Sequence, residues 1–114
     1  MSQPLYQVKA EFFRTLGHPA RIRILELLAE RDHAVHELLE AIEIEPSNLS
    51  QQLAVLRRAG LVSQQRAAGE VTYTLALPLV RELLRTARAV LLDQVSGREA
   101  LQEALQESLQ EPDR

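Results

Sequence analysis

Apolar residues recur every three or four positions through the first half of the chain, which is the period of amphipathic helices. The pattern predicts a short helix over residues 4–16 and a second, largely buried helix that begins at Pro19. A third, short helix is expected to run from Asp32, acting as its N-terminal cap, to about Ile42.

The hydrophobic period changes from about 3.6 to 2 after a fourth helix, which is predicted to begin at Glu45-Pro46 and to end at Gly60. Residues 61–66 and 71–77 flank the turn-forming residues 67–70, and the second run alternates between apolar and polar side chains. This arrangement predicts a β-hairpin.

A longer helical pattern follows Pro78 and continues to Val95. Gly97 is expected to interrupt this helix, and the leucines beyond it are spaced by four residues, which gives only a narrow apolar stripe. We therefore predict a domain over residues 1–96 and an acidic, helical C-terminal extension over residues 97–114.

The predicted order is helix, helix, short helix, helix, hairpin, long helix. A short helix joined by a tight turn to a second helix, with a two-stranded hairpin directly after it, is typical of the winged helix-turn-helix unit that binds DNA. The predicted fold class is therefore mainly α with a β-hairpin wing, in the order α-α-α-α-β-β-α.

The composition fits one globular domain, since 46% of the 114 residues are hydrophobic and 25% are charged. The absence of Cys excludes disulfides, thiolate metal sites and cysteine nucleophiles, and it favours a reducing compartment. We find no basic leader, and the longest apolar run, residues 89–92, is far too short for a membrane span. A cytoplasmic protein is expected.

The charge is uneven along the chain. The formal net charge is −3, yet residues 46–96 carry six basic and three acidic side chains. Because salt screens charges beyond about 8 Å, the basic middle of the chain can hold a polyanion despite the overall acidity. The alternative is that an excess of this size is ordinary variation.

The fourth predicted helix divides into two faces. Leu49, Leu53 and Leu56 fall on one side at helical spacing. The opposite side is small and rich in amides and hydroxyls, including Ser47 and Gln51. Such side chains can contact base edges in the major groove, although a solvated helix face would show the same residues.

Basic and turn-forming residues could supply contacts with the DNA backbone. Arg66 and Gly69 lie near the tip of the predicted wing, and Arg57 and Arg58 lie at the end of the fourth helix. Phosphate contacts of this kind fix the register of a protein on DNA. The alternative for Arg57 and Arg58 is a favourable interaction with the helix C-terminus.

Three segments carry a family resemblance: LGHPARIRIL at residues 16–25, SNLSQQL at 47–53 and LRRAGLV at 56–62. They resemble the ArsR/SmtB family of bacterial winged-helix repressors over about residues 12–92. The resemblance implies a cytoplasmic homodimer that represses transcription from an inverted repeat. It also marks the recognition segment and the wing, so the predicted DNA-binding residues are Ser47, Asn48, Ser50, Gln51, Gln52, Arg57, Arg58, Arg66, Gly69 and Tyr73.

Dimerisation is expected through the first helix and the long helix after the wing, as the resemblance implies. The apolar stripe on the long helix is also broader than one side of a small domain can cover, and soluble monomers avoid exposing such patches. The predicted dimer residues are Leu5, Phe12, Leu83, Leu84, Ala87, Val90 and Leu91.

The chain lacks the metal ligands that related sensors use. The family's Cys-x-Cys pair falls on Ala34-Val35-His36, and residues 79–95 contain no His. His33 and His36 could share a helix face, but two imidazoles do not complete a zinc site. We therefore expect no metal and no cofactor, and the effector is unknown.

Further residues bear on the wing and on the alternative functions. Glu70 stands where the family often has a basic wing-tip residue, and His18 is expected to be a turn or capping residue. The four glycines are isolated, so no phosphate-binding loop is present, and no nucleophile motif suggests an enzyme. The remaining alternatives are a winged-helix module that binds protein instead of DNA, and a repressor controlled by a partner protein.

Overall fold

A computed structural model describes residues 2–110, which form five α-helices and three β-strands. The mainly helical fold with a β-hairpin is confirmed. Within residues 2–110, no helix combines the length and the apolarity needed to cross a lipid bilayer. In chain order, the elements are α1 (Leu5–Leu16), α2 (Pro19–Glu30), β1 (His33–Ala34), α3 (Val35–Ala41), α4 (Pro46–Arg58), β2 (Val62–Ala67), β3 (Glu70–Leu75) and α5 (Leu79–Gln110).

The described residues divide into two compact units, the first ending at Arg81 and the second beginning at Glu82. The first unit contains α1 to α4, the three strands and the start of α5. Its core is mainly aliphatic, and the largest fully buried side chains come from α2, α3 and α4 and from the residue just before β2. They are Ile24, Leu25, Leu28, Leu38, Leu49, Leu53, Leu56 and Leu61.

The sheet contains a short strand that the sequence pattern did not predict. Strand β1 pairs antiparallel with β3, with His33 opposite Tyr73, and the strand order is β1-β3-β2. The prediction that Asp32 caps α3 was therefore wrong, because the helix begins two residues later, with Ala34 as its N-cap. Glu37 replaces the missing cap, since its Oε1 accepts the Ala34 N–H at 2.9 Å.

The predicted turn of the hairpin is tighter than expected. Ala67 pairs with Glu70, which leaves a two-residue loop of Ala68 (φ 53°) and Gly69 (φ 78°). Positive φ at both loop positions is the feature of the type I′ turn, whose twist matches that of the flanking strands. We refer to β2, β3 and this turn as the wing.

Helix α4 ends at a well-defined cap. Gly60 adopts φ 77°, its N–H bonds the Arg57 carbonyl at 3.0 Å, and the Leu61 N–H bonds the Leu56 carbonyl at 3.0 Å. These two bonds form a Schellman motif, as predicted for a helix that ends at Gly60. Strand β2 begins at Val62, immediately after this cap.

Helix α5 continues through Gly97, so the predicted interruption there was wrong. A glycine inside a helix costs only about 1 kcal/mol relative to Ala, and the residues that follow Gly97, Arg98, Glu99 and Ala100, are good helix formers. The acidic extension over residues 97–114 stays a prediction, and its last four residues lie outside the described part of the chain.

Candidate nucleic-acid interface

One face of α4 is locked into the core of the first unit. Leu49, Leu53 and Leu56 are all fully buried, as the spacing of the leucines predicts. Pro46 occupies the first helical position, where the missing N–H costs nothing, and Gly60 follows the C-cap residue, Ala59. The helix is therefore fixed along its length, and its remaining side chains have defined directions.

The opposite face of α4 is polar and open. Ser47, Ser50 and Gln51 are exposed on the first two turns, and Arg57 and Arg58 are exposed at the other end. The N-terminal part of a recognition helix is the part that reaches base edges. The structure thus brings three of the predicted base-contacting residues together on one accessible surface.

Gln52 belongs to the interior instead of this surface. Only 8% of the residue is exposed. Its side-chain oxygen accepts a hydrogen bond from Arg21 Nε at 2.8 Å, and its amide nitrogen donates to Asn48 Oδ1 at 2.9 Å. Both ends of the amide are occupied, so the prediction that Gln52 contacts DNA is corrected: it is a positioning residue.

Arg21 is a residue of the site that sequence reasoning missed. Besides its bond to Gln52, its Nη1 donates to the Thr15 carbonyl at 3.1 Å, near the end of α1. One guanidinium therefore joins α1, α2 and α4. Its fixed fork of donors suits such a bridge better than the single ammonium of Lys. Asn48, half-buried beside it, takes part in the same hydrogen-bonded chain.

The wing has an exposed tip and a buried base. Arg66 and Gly69 are exposed, as contact with a DNA backbone would require. Tyr73 is only 7% exposed, and its hydroxyl donates to Gln64 Oε1 at 2.9 Å. The burial of its ring removes Tyr73 from the candidate interface, because the side chain fills the base of the wing.

Glu70, the acidic residue at the wing tip, contacts α3. Its Oε1 lies 3.3 Å from His36 Nδ1, with both side chains more than half exposed. His33 is buried, and its Nδ1 lies 2.9 Å from the Arg31 carbonyl. Across residues 2–110, no group of three or more His, Cys, Asp or Glu side chains is arranged to hold a metal ion.

Two capping side chains fix the helices around α4. His18 is the N-cap of α2, and its Nδ1 accepts the Ala20 N–H at 3.2 Å, which confirms the predicted capping role. At the start of α3, the hydrogen bond from the Ala34 N–H lowers the pKa of Glu37 below its usual value of 4.5. Arg31, whose guanidinium lies 3.0 Å from the same carboxylate, lowers it further.

The residues predicted to form a dimer lie on two helices, α1 and α5. In α1, Leu5 is 67% exposed and Phe12 is half-buried. In α5, Ala87, Val90 and Leu91 are exposed, whereas the two leucines one turn earlier are half-buried; these are Leu83 and Leu84. Both helices thus present apolar side chains to solvent in the single chain.

Comparison with known proteins agrees with this architecture. Residues 18–64, from the cap of α2 into the wing, match the family described as "Bacterial regulatory protein, arsR family". The HTH-type transcriptional regulator Rv0081 of Mycobacterium tuberculosis is 57% identical over 101 residues, which cover 88% of this chain and 89% of that protein.

Solved structures show the same likeness. The crystal structure of M. tuberculosis Rv0081 matches with a TM-score of 0.78 and 58% identity, covering 85% of this chain and 98% of that one. The transcriptional repressor BigR from Xylella fastidiosa matches with a TM-score of 0.70 and 32% identity, covering 75% and 87% of the two chains.

A third structure is the homodimeric winged helix-turn-helix DNA-binding domain of Mb0332 from Mycobacterium bovis, described as a possible ArsR-family regulator. It matches with a TM-score of 0.72 and 26% identity, over 82% of this chain and 86% of that one. With a winged helix-turn-helix in its first unit and extensive identity to such a regulator, this chain belongs to the arsR family of bacterial transcriptional regulators.

Proposed function

We propose that this protein is a sequence-specific repressor that binds an inverted-repeat operator as a homodimer. The observation that carries the proposal is the division of α4 into a buried leucine face and an exposed face with Ser47, Ser50 and Gln51 on its first turns. A helix held rigidly along one side and polar at its exposed N-terminal end is suited to the major groove.

Each polar group of this surface has a distinct part in the proposal. The Gln51 amide has a donor and an acceptor that match the major-groove edge of adenine, and the Ser hydroxyls can bond bases or phosphates. Arg57, Arg58 and Arg66 contact phosphates, and the backbone at Gly69 allows the wing tip to approach the duplex closely. Sequence specificity then comes from α4, and the arginines fix the position of the protein along the duplex.

The proposed homodimer rests on exposed apolar surface. Leu5 on α1 and Val90 and Leu91 on α5 are more than half exposed, and large exposed apolar areas are uncommon on soluble monomers. The related Mb0332 domain is homodimeric. A two-fold dimer would place its two α4 helices about 34–36 Å apart, or a multiple of this distance, on one side of the duplex.

Repression is the direction that the relatives favour, since BigR is a repressor. For the effector, we expect no response to thiophilic metals, zinc or thiol oxidants. Soft cations require thiolate ligands and the chain has no Cys, and His33 with His36 does not supply the four ligands of a zinc site. This expectation stays a prediction, to be tested by titrating operator affinity with zinc, nickel, cadmium and arsenite.

The test is DNA binding by fluorescence anisotropy, using the region upstream of the protein's own gene and a random duplex of equal length. Gln51→Ala is expected to weaken specific binding by about 1–3 kcal/mol and to change random binding little. Arg66→Ala should weaken both and should reduce the salt dependence, because phosphate contacts carry no sequence information.

Two exposed residues of α5 provide matched controls, Gln102→Ala and Arg85→Ala, which should leave DNA binding unchanged. Loss of specific and random binding in the same proportion by both test variants would contradict the assigned roles. Absence of any binding to the upstream region would favour the alternative of a winged-helix module that binds protein.

A further inference from the structure

The first unit contains an open cleft of about 330 Å³ next to the N-terminal end of α4. Its walls come from the beginning of α2, the connection between α3 and α4, and the first turn of α4. A volume of this size lies at the lower end of the range of small-molecule sites. Half of the lining residues are apolar: Pro19, Ala20, Ile42 and Ile44.

The polar residues of the cleft are His18, Arg23, Glu43 and Asn48. His18 Nδ1 accepts a backbone N–H, so the neutral ring carries its proton on Nε2 and is a donor there. Asn48 Oδ1 is occupied by Gln52, which leaves the Asn48 amide nitrogen as a donor. The cleft thus combines three donors, one of them cationic, with one carboxylate acceptor.

We propose that this cleft binds a small zwitterion of the α-amino acid class. The Arg23 guanidinium would bind the ligand's carboxylate, and the Glu43 carboxylate would bind its ammonium group. Arg23 now contacts Glu26 at 3.3 Å, but both side chains are about half exposed, and such a surface pair is weak enough to exchange.

The opposite charges in the cleft decide between ligand classes. A phosphate, whether free or from DNA, would pair with Arg23 but would be repelled by Glu43, and a simple amine would meet the reverse problem. A molecule with both charges satisfies both residues, while its side chain can cover the apolar walls. This combination favours an amino acid over an inorganic anion or a polyamine.

Asn48 connects the cleft to α4. It lies in the cleft wall, and it also begins the hydrogen-bonded chain that runs through Gln52 and Arg21 to the Thr15 carbonyl. A ligand that accepts a hydrogen bond from the Asn48 amide nitrogen would turn the same side chain whose oxygen accepts from Gln52, and so would shift the first turn of α4 and its exposed side chains. The bound amino acid would therefore alter operator affinity, and this part of the inference rests on the proposed function.

The site is tested by isothermal titration calorimetry on the full chain without DNA, using each common L-α-amino acid in turn. At least one is expected to bind. Arg23→Ala and Glu43→Gln should each weaken that binding by about tenfold or more, since each removes a charge-assisted contact. Thermal unfolding of each variant checks that the fold is kept.

Two control variants match these substitutions. Arg85→Ala removes another exposed arginine that pairs three residues away, with Glu82 at 3.0 Å, and Glu40→Gln neutralises an exposed carboxylate on α3. Both should bind the amino acid as the wild type does. The 2-hydroxy acid that corresponds to the bound amino acid should bind more weakly to the wild type, and Glu43→Gln should abolish this preference.

Several outcomes would overturn the proposal. These are no binding of any common amino acid, binding unaffected by Arg23→Ala and Glu43→Gln, or binding of inorganic phosphate in place of amino acids. Amino acid binding that leaves operator affinity unchanged would overturn the regulatory part. A chain that binds amino acids but no DNA would contradict the proposed function and leave the cleft assignment standing.

Discussion

Helix α4 and the wing both offer polar side chains to solvent, but they are supported very differently. In α4, three leucines are fully buried, and the polar residues Gln52 and Asn48 are held by hydrogen bonds. In the wing, Val62 and Tyr73 anchor the base, and residues 63–70 are all exposed.

This difference distinguishes residues that position the helix from residues that are available to contact DNA. Polar residues of α4 are of two kinds, those that hold the helix and those that remain available, and only their burial distinguishes them. The tip of the wing has few interior partners among the described residues, so its conformation depends on its backbone turn. We therefore expect substitutions of the buried residues of α4 to affect folding stability strongly and substitutions of the exposed side chains of the wing to affect it weakly.

The largest expected effect is at the buried face of α4. Leu49→Ala should lower the free energy of unfolding by about 2–5 kcal/mol, because it removes a fully buried side chain and leaves a cavity. Gln65→Ala, at an exposed position of β2, should change it by no more than about 0.5 kcal/mol. Urea unfolding followed by circular dichroism measures both free energies. Equal losses of stability in the two variants would contradict the expected difference between α4 and the wing.

The polar side of α4 gives a sharper comparison between two adjacent glutamines. Gln52→Leu should destabilise the fold by about 1–3 kcal/mol, because Arg21 Nε loses its acceptor in a partly buried site. Gln51→Ala should change stability by less than about 0.5 kcal/mol while still weakening operator binding. A double-mutant cycle with Arg21→Ala should show coupling to Gln52 and none to Gln51.

The conformation of the wing turn can be tested by replacing a glycine with alanine there and, for comparison, inside α5. Gly69→Ala should cost about 1 kcal/mol, because φ is 78° there and L side chains disfavour that region. Gly97→Ala should stabilise the protein by about 1 kcal/mol, since it lies inside α5 and a Cβ would meet no neighbour within 4 Å. Thermal melting of the two variants should show shifts of opposite sign.

The smallest effect concerns Glu37, at the start of the helix that also contacts the wing through His36. The pKa of Glu37 is lowered in the folded protein, chiefly by the Ala34 N–H, so its stabilising contribution is present above pH 4.5 and is lost as the pH falls below that value. Glu37→Gln should reduce the fall in melting temperature that accompanies a fall in pH through the acid range. Glu40→Gln, its matched control on α3, should leave that slope unchanged.

Periodicity predicted most of the fold because most elements are long enough to repeat. The leucines of α4 recur over several turns, and the helix ends carry Pro46 and Gly60, so both its buried face and its bounds could be predicted. Strand β1 has only two residues, too few to show any period, and it forms because β3 offers an unpaired edge.

The errors at the candidate site have an identifiable cause. Gln52 was assigned to DNA because the family resemblance places it in the recognition segment, although a helix turns about 100° per residue and this places Gln52 within about 60° of Leu49, beside the buried face. Tyr73 alternates with Val71 and Leu75 on the apolar side of β3, which already indicated burial. Arg21 could not be predicted, because its partners lie on two other helices.

The length of β2 is fixed at both ends, which limits the sequence changes that this protein can accept. The Schellman cap at Gly60 fixes where β2 begins, and the two-residue turn at Ala68-Gly69 fixes where it ends. A single inserted or deleted residue between these points would slip the register and place Val62 and Tyr73, which now share one face, on opposite faces of the hairpin. Related proteins that keep this core are therefore expected to differ in β2 by replacement and to conserve its length.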